Sequence, residues 1–190
     1  MTKQVSWMAL AIGGALVWAG GSADATTLAR MDLDELTATA TAVARVRCLG
    51  NESRWEGREI WTLTSFEVEE TFKGAIPRLI TVRLVGGKVG HLISTVNGVP
   101  RFLPGEEVIV FLERTSAGDF SVTSWIQGTF RIRRDVHTGR ERVTQDTAGV
   151  AIFDPATRQF QAGGTRDLPF EVFRERLAKA IERQQSHKKP

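Results

Sequence analysis

The chain has 190 residues, a formal net charge of +3 and a single cysteine, Cys48. One cysteine excludes an intramolecular disulfide framework, so a folded domain of this chain must be held together by core packing. The chain has three histidines, and no spacing of His, Cys, Asp and Glu is typical of a zinc site. We therefore expect no metal and no cofactor.

The N-terminal segment has the layout of a secretory signal peptide. Lys3 supplies a positive start, residues 5–20 are mainly apolar, and residues 23–25 read Ala-Asp-Ala, with small residues at the two positions that a signal peptidase reads. We expect cleavage after Ala25, so that residues 1–25 are removed and the rest is one exported domain, secreted or periplasmic. A retained membrane anchor is the alternative, because the apolar run approaches the roughly 20 residues that a spanning helix needs.

The first part of residues 26–190 predicts a short helix followed by three strands. Asp32 is a helix cap, with acidic residues at the positive end of the helix dipole. Residues 43–49 alternate between an apolar face (Ala44, Val46, Cys48) and a basic face (Arg45, Arg47). Residues 60–72 and 79–85 alternate in the same way and are separated by turn residues, which predicts a hairpin.

The middle of the chain contains a long segment rich in glycine and proline, residues 86–105. We expect an irregular loop there, and loops of that length in a compact domain are often functional. Residues 108–112 form a continuous apolar run, as in a strand buried on both faces. Further strands are predicted at 120–126, 129–133, 140–145, 151–153 and 159–161, and Gly128 predicts a bulge or a barrel corner.

The chain closes with a predicted amphipathic helix over residues 167–184. Asp167 is its expected cap, Pro169 lies in the first turn, and an apolar stripe recurs at helical spacing: Phe170, Phe173, Leu177 and Ile181. Short strands, a glycine corner and flanking helices favour a mainly β fold. We expect a small OB-like antiparallel barrel with a short N-terminal helix and this C-terminal helix.

Several segments resemble exported bacterial proteins of unknown role. Residues 43–46 read Val-Ala-Arg-Val, residues 66–74 end in Glu-Thr-Phe-Lys-Gly, residues 81–83 read Thr-Val-Arg, and residues 104–112 read Pro-Gly-Glu-Glu followed by five apolar residues. The combination is also similar to the netrin-type OB-fold module of tissue inhibitors of metalloproteinases, over about half of the mature chain. The resemblance implies a barrel and, as an alternative function, regulation or inhibition of an exported metalloprotease. That family acts through an N-terminal cysteine pinned by disulfides, whereas Thr26 starts the expected mature chain, so the inhibitory mechanism is carried to no residue here.

Candidate contact residues lie in three places. Trp55 stands in a polar stretch with the composition of a loop, where it is either an exposed contact residue or folds back over the barrel end. The 86–105 segment contributes Lys88, His91, Ser94 and Arg101. Arg131 and Arg133 could share one hairpin face with Arg140 and Arg142, either as solvated charges or as a basic stripe for an acidic envelope polymer or a partner protein. The aromatic residues that nucleic-acid binding would interleave with these arginines are missing, so we expect no nucleic-acid partner.

Catalytic signals are weak along the whole chain. His91 and Ser94 could form a base and a nucleophile, but no orienting carboxylate or oxyanion hole is marked. The glycine-rich residues 86–90 lack the Ser or Thr that follows the lysine of a phosphate-binding loop. We therefore assign no catalytic residue and expect a non-enzymatic, exported binding module for a protein or envelope component, which meets a membrane only through its signal segment. The alternatives are a regulator of an exported protease and a hydrolase that uses His91 and Ser94.

Overall fold

The computed structural model describes residues 27–187 except 146, 148, 149, 162 and 163, so the expected signal peptide and its cleavage site lie outside the described residues. Two α-helices, α1 (Leu33–Thr39) and α2 (Phe170–His187), and one 3-10 helix (Trp125–Gly128) are present in this part of the chain. The strand predicted at 120–126 is therefore too long, since it ends at Val122 and the 3-10 helix follows. Seven strands precede residue 120: β1 (Thr27–Ala29), β2 (Ala42–Glu56), β3 (Glu59–Lys73), β4 (Leu79–Val85), β5 (Gly87–Val89), β6 (Leu92–Ser94) and β7 (Glu107–Arg114). Six follow: β8 (Phe120–Val122), β9 (Thr129–Arg134), β10 (Glu141–Gln145), β11 (Ala151–Asp154), β12 (Gln159–Gln161) and β13 (Leu168–Pro169).

Five strands close into a ring in the order β2, β3, β4, β8 and β7, with β7 returning to β2. Neighbours in the ring are antiparallel except β4 and β8, which pair in parallel at Val82 and Phe120. Beyond the ring, β9, β10 and β13 extend the sheet from β7. The expected mainly β, OB-like barrel with a short N-terminal helix and a C-terminal helix is confirmed.

Strands β2 and β7 each contribute buried residues to two hydrophobic cores, one inside the barrel and one under the helices. In β7, Val108, Val110 and Leu112 point into the barrel, while Ile109 and Phe111 pack under the helices. All five are fully buried, which confirms the two-sided burial predicted from the continuous apolar run. The barrel wall therefore provides the floor of a second layer formed by α1 and α2.

Helix α2 packs on the barrel through the predicted stripe. Phe173 and Leu177 are buried, and the ring centroid of Phe173 lies 4.9 Å from that of Phe130 on β9. The helix begins at Phe170, however, and Asp167 is not its cap. Asp167 has a left-handed backbone (φ 49°), and its carboxylate accepts a hydrogen bond from Arg142 Nε. The two residues of β13 separate it from the helix because they pair with β10.

The N-terminal segment is attached to the barrel by backbone and side-chain hydrogen bonds. Asp32 caps α1 as expected, in a capping box in which Asp32 and Glu35 each accept a hydrogen bond from the other's backbone N–H. Strand β1 pairs in parallel with β11, which itself pairs with β12. None of the helices in the described ranges combines the length and apolar character needed to cross a bilayer.

Two segments differ from the sequence prediction. The expected loop around Trp55 is a continuation of the β2–β3 hairpin, since Trp55 pairs with Ile60 and the turn is confined to Gly57 and Arg58. The 86–105 segment is not wholly irregular, because β5 and β6 form a short hairpin within it. In both places cross-strand pairing overrides a local composition that is typical of loops.

Candidate functional site

A recess of about 280 Å³ opens at one end of the barrel, between the β2–β3 hairpin and the 86–105 segment. Its polar lining comes from facing positions of β2 and β3, because Asn51 pairs with Thr64 and Ser53 pairs with Thr62. Its apolar lining includes Leu84, Val96, Val99, Phe102 and Leu103. Two of the predicted contact residues, Lys88 and Arg101, line it as well.

Hydrogen bonds fix the polar floor of this recess. The hydroxyl of Thr62 lies 2.9 Å from that of Ser53 and donates to the carbonyl of Gly86 over 2.6 Å. The hydroxyl of Thr64 donates to Asn51 Oδ1 over 2.7 Å, and Asn51 Nδ2 donates to the carbonyl of Phe102 over 2.9 Å. Because these donors are already used, the oxygen atoms of the floor are left mainly as acceptors, suited to a ligand group that carries N–H or O–H.

The 86–105 segment lies directly on this floor at Gly87. The residue has φ +143°, and a Cβ placed there would collide with the hydroxyls of Thr62 and Ser53. A backbone this close to the β2–β3 hairpin requires glycine. The position of the segment over the recess is therefore built into the sequence at residue 87.

The rim of the recess is positively charged. The side chain of Lys88 is exposed and forms no hydrogen bond or ion pair with any described residue. Arg101 is exposed and donates to two neutral groups, the hydroxyl of Thr95 over 3.0 Å and the carbonyl of Ser94 over 3.4 Å. Neither partner of Arg101 neutralises its charge, so the rim attracts an anionic group.

Large apolar side chains are exposed at the same end of the barrel. Leu103 on the recess wall is 71% exposed, and Leu92 and Ile93 on the β5–β6 hairpin are 60% and 64% exposed. Trp55 is 49% exposed and lies on the β2 face that carries Ser53. Concentrated exposure of this kind is typical of an interaction surface.

The predicted pair His91 and Ser94 is not assembled as a nucleophile and base. His91 is exposed in the turn between β5 and β6. Ser94 lies at the end of β6, where it pairs with Gly87 of β5. No hydrogen bond between their side chains is found in the described part of the chain, although an activated nucleophile requires one. Across all the residues that the structure describes, no cluster of three or more His, Cys, Asp or Glu could hold a metal ion.

The predicted arginine stripe is present in part. Arg133 pairs with Arg142, and Arg131 pairs with Thr144, so these three arginines share one face of the β9–β10 hairpin. Arg140 instead lines a separate recess, together with Arg134 and Glu141. Arg131 forms an ion pair with Glu106 and donates to the carbonyl of Arg101 over 3.0 Å, so the arginine face adjoins the recess under the 86–105 segment.

Sequence reasoning missed the four polar residues of the floor, Asn51, Ser53, Thr62 and Thr64. The available signal was the change along one strand face of β3 from the buried Phe66 to the hydroxyls of Thr64 and Thr62. A strand face that turns from apolar to hydroxyl-bearing towards a barrel end indicates a polar opening.

No protein-family model, curated protein or solved structure matches the chain. The similarity to the netrin-type module therefore rests on the sequence motifs alone. The site can be described by the groups it presents. Its floor has hydrogen-bond acceptors that are held in place, its rim carries two positive charges, and exposed apolar side chains surround it.

Proposed function

We propose that this protein is an exported binding module that docks a partner protein at the end of the barrel covered by the 86–105 segment. We call this area the loop-end surface and define it as Trp55, Lys88, Leu92, Ile93, Arg101 and Leu103. The proposal rests on one observation, namely that exposed large apolar side chains and two cations surround a recess whose floor is already fixed, and neither cation has an acidic partner among the described residues.

The chemistry of the surface favours a protein segment as the ligand. Its apolar residues would pack against apolar side chains of the partner, while Lys88 and Arg101 would pair with an Asp or Glu beside them. The recess, at about 280 Å³, is slightly smaller than the usual range for ligand pockets. It suits one inserted side chain better than a large free ligand.

The fixed floor supports binding without a large rearrangement. Gly87 rests on the hydroxyls of Ser53 and Thr62, and Asn51 holds the carbonyl of Phe102, so both ends of the covering segment are attached to the β2–β3 hairpin. A surface that is ordered before binding loses less conformational entropy in the complex.

Capture from native envelope and secreted fractions tests the proposal with two pairs of variants. Leu92→Ser with Ile93→Ser removes apolar surface at the site, and Val136→Ser with Phe160→Ser removes comparable exposed surface elsewhere. Lys88→Glu with Arg101→Glu reverses charge at the site, and Arg58→Glu with Arg158→Glu is the control. We expect one stoichiometric partner that both site variants lose and both controls retain. Equal capture by all four variants would contradict the docking site.

Export is a separate part of the proposal and has its own measurement. The support is the signal-like composition of residues 1–25. N-terminal sequencing of the protein recovered from the envelope or the medium should begin at Thr26. An intact Met1 in that fraction would instead favour the retained anchor.

A second candidate function is regulation of an exported protease. It is favoured by the β5–β6 hairpin, which presents Leu92 and Ile93 at a tight turn in a form that can enter a cleft. Inhibition of a metalloprotease, abolished by Leu92→Ser with Ile93→Ser, would support it. Full activity of a broad protease panel in the presence of the protein would count against it.

A further inference from the structure

Two recesses meet at the outer edge of β10: the larger lies on the arginine face, and the smaller lies on the opposite face of the hairpin, beside α1 and α2. One has a volume of about 460 Å³ and the other about 360 Å³, and Gln145 and Arg166 line both. Arg133 lines the larger recess and Arg176, on α2, lines the smaller. We call the combined feature the arginine groove and define it as Arg133, Thr144, Gln145, Thr147, Arg166 and Arg176.

The segment that carries Arg166 is fixed in place on both sides. The backbone N–H of Gln145 donates to the carbonyl of Thr165 over 2.7 Å, and the backbone N–H of Thr165 donates to Gln145 Oε1 over 3.2 Å. On the other side, the backbone N–H of Asp167 donates to the hydroxyl of Thr144 over 3.2 Å. Gln145 is only 8% exposed, so its side chain forms a rigid support for the groove.

The charge of the groove is not balanced within the described residues. Arg133, Arg166 and Arg176 form no hydrogen bond or ion pair through their side chains with any described residue. Of the described acidic residues in the lining, Asp167 is paired with Arg142, whereas Asp32 accepts only a backbone hydrogen bond and keeps its charge, so the three arginines still outnumber it. The groove therefore presents three guanidinium groups to an anionic ligand.

The remaining lining indicates what kind of anion fits. Every described residue that lines the larger recess is polar or charged: Arg131, Arg133, Thr144, Gln145, Thr147, Arg166 and Asp167. The larger recess therefore offers no aromatic platform on which a nucleobase could stack and no apolar pocket for a peptide side chain. The smaller recess has apolar lining, but its aromatic residue, Phe130, is only 2% exposed and presents no ring face for stacking. Guanidinium groups pair bidentately with carboxylates, and the hydroxyl of Thr144 can still donate its hydrogen to a sugar oxygen.

We propose that the arginine groove binds a carboxylated polysaccharide. Uronate carboxylates would pair with Arg133 and Arg166, and the sugar hydroxyl groups would contact the threonine and glutamine lining. Arg176 would pair with a further carboxylate along the same chain. This site is separate from the proposed protein-docking surface, and neither Arg133 nor Arg166 lines the recess under the 86–105 segment.

Binding to polygalacturonate, measured at fixed ionic strength, tests this inference. The double variant Arg133→Gln with Arg166→Gln removes two groove charges, and Arg58→Gln with Arg158→Gln removes two charges from exposed positions elsewhere. We expect the groove variant to weaken binding at least about tenfold and the control to change it less than about twofold, because direct charge-assisted hydrogen bonds are lost only in the first. Neutral dextran should not bind.

Three results would overturn the proposal. An equal loss in the groove and control variants would show attraction to net charge alone. Unchanged binding in the groove variant would show that these arginines do not contact the polymer. Polyglutamate or single-stranded DNA binding as tightly as polygalacturonate would assign the groove to an acidic peptide or a nucleic acid instead. Circular dichroism and thermal unfolding of each variant would verify that the fold is retained.

Discussion

The guanidinium of Arg45 forms a two-pronged contact with Glu141, with Nη1 and Nη2 each 2.9 Å from one carboxylate oxygen. Arg45 lies on β2 in the barrel wall and Glu141 on β10 outside the ring. Arg45 also pairs with Glu69 and Glu107, and its charge lies 5.4 Å from the ring centroid of Phe170. The contact therefore ties the barrel, the outer strands and the start of α2 together.

This contact predicts a loss of stability in acid. Hydrogen bonds from Arg45, opposed by burial and helped by Arg134, lower the pKa of Glu141 from 4.5 to about 2. Because the folded pKa is below the unfolded one, the contribution is fully present above the unfolded pKa and is lost as pH falls towards the folded value. Glu141→Gln should lower the free energy of unfolding by about 1 to 3 kcal/mol at neutral pH and flatten its decline in acid. Urea denaturation between about pH 7 and about pH 2 measures both effects.

Glu175→Gln is the matched control for this prediction. Glu175 accepts a hydrogen bond from Lys179 on the exposed side of α2, in a pair open to solvent. Exposed pairs of this kind contribute little to stability. An effect of Glu141→Gln no larger than that of Glu175→Gln would show that the Arg45 contact does not stabilise the fold.

Gly87→Ala should be destabilising and should also distort the loop-end surface. The new methyl group would meet the hydroxyls of Ser53 and Thr62, and φ +143° is rarely adopted by an L-residue. We expect a loss of about 2 to 3 kcal/mol in the free energy of unfolding. Gly90→Ala is the control, because Gly90 also has positive φ but has open space around its Cβ position. It should cost only about 1 kcal/mol. Equal losses in the two variants would contradict the close contact at Gly87.

Cys48 should be unreactive in the native protein. It is 1% exposed within the barrel core, and burial raises the pKa of its thiol. Since the thiolate is the reactive species, alkylation by iodoacetamide should be slow in buffer and fast in about 6 M urea, as read by mass spectrometry. Rapid labelling of the native protein, or a disulfide-linked dimer under non-reducing conditions, would contradict the buried position.

The alternation of apolar and polar residues, and the length of continuous apolar runs, predicted the barrel strands because both patterns reflect which side chains are buried. Residues 79–85 alternate apolar and polar, and the structure places β4 at those residues. The apolar run at 108–112 correctly indicated a strand between two cores, since both sides of β7 are covered. These signals are local, and tertiary packing agrees with them.

The candidate sites were less predictable because they depend on register and on segments far apart in sequence. Trp55 lies among polar residues, but its pairing with Ile60 extends a strand that composition alone would end. Arg166 joins Arg133 only because Thr165 is bonded to Gln145. Asp167 has the chemistry of a helix cap, yet pairing of β13 with β10 moves the helix start beyond it and leaves its carboxylate to Arg142.

Gln127 should be essential for the attachment of the N-terminal segment. This side chain is 2% exposed, and its Nε2 donates to the carbonyl of Ala29 over 2.7 Å while its Oε1 accepts from the N–H of Met31 over 2.9 Å. Gln127→Leu keeps the volume but leaves both backbone groups without these partners, at a cost of about 2 to 4 kcal/mol. Hydrogen exchange at the amide of Met31 should accelerate more than exchange in the barrel strands. Gln159→Leu, at an exposed position on β12, should leave both readouts unchanged. Unaltered protection of Met31 in Gln127→Leu would show that β1 pairing with β11 holds this segment without the glutamine.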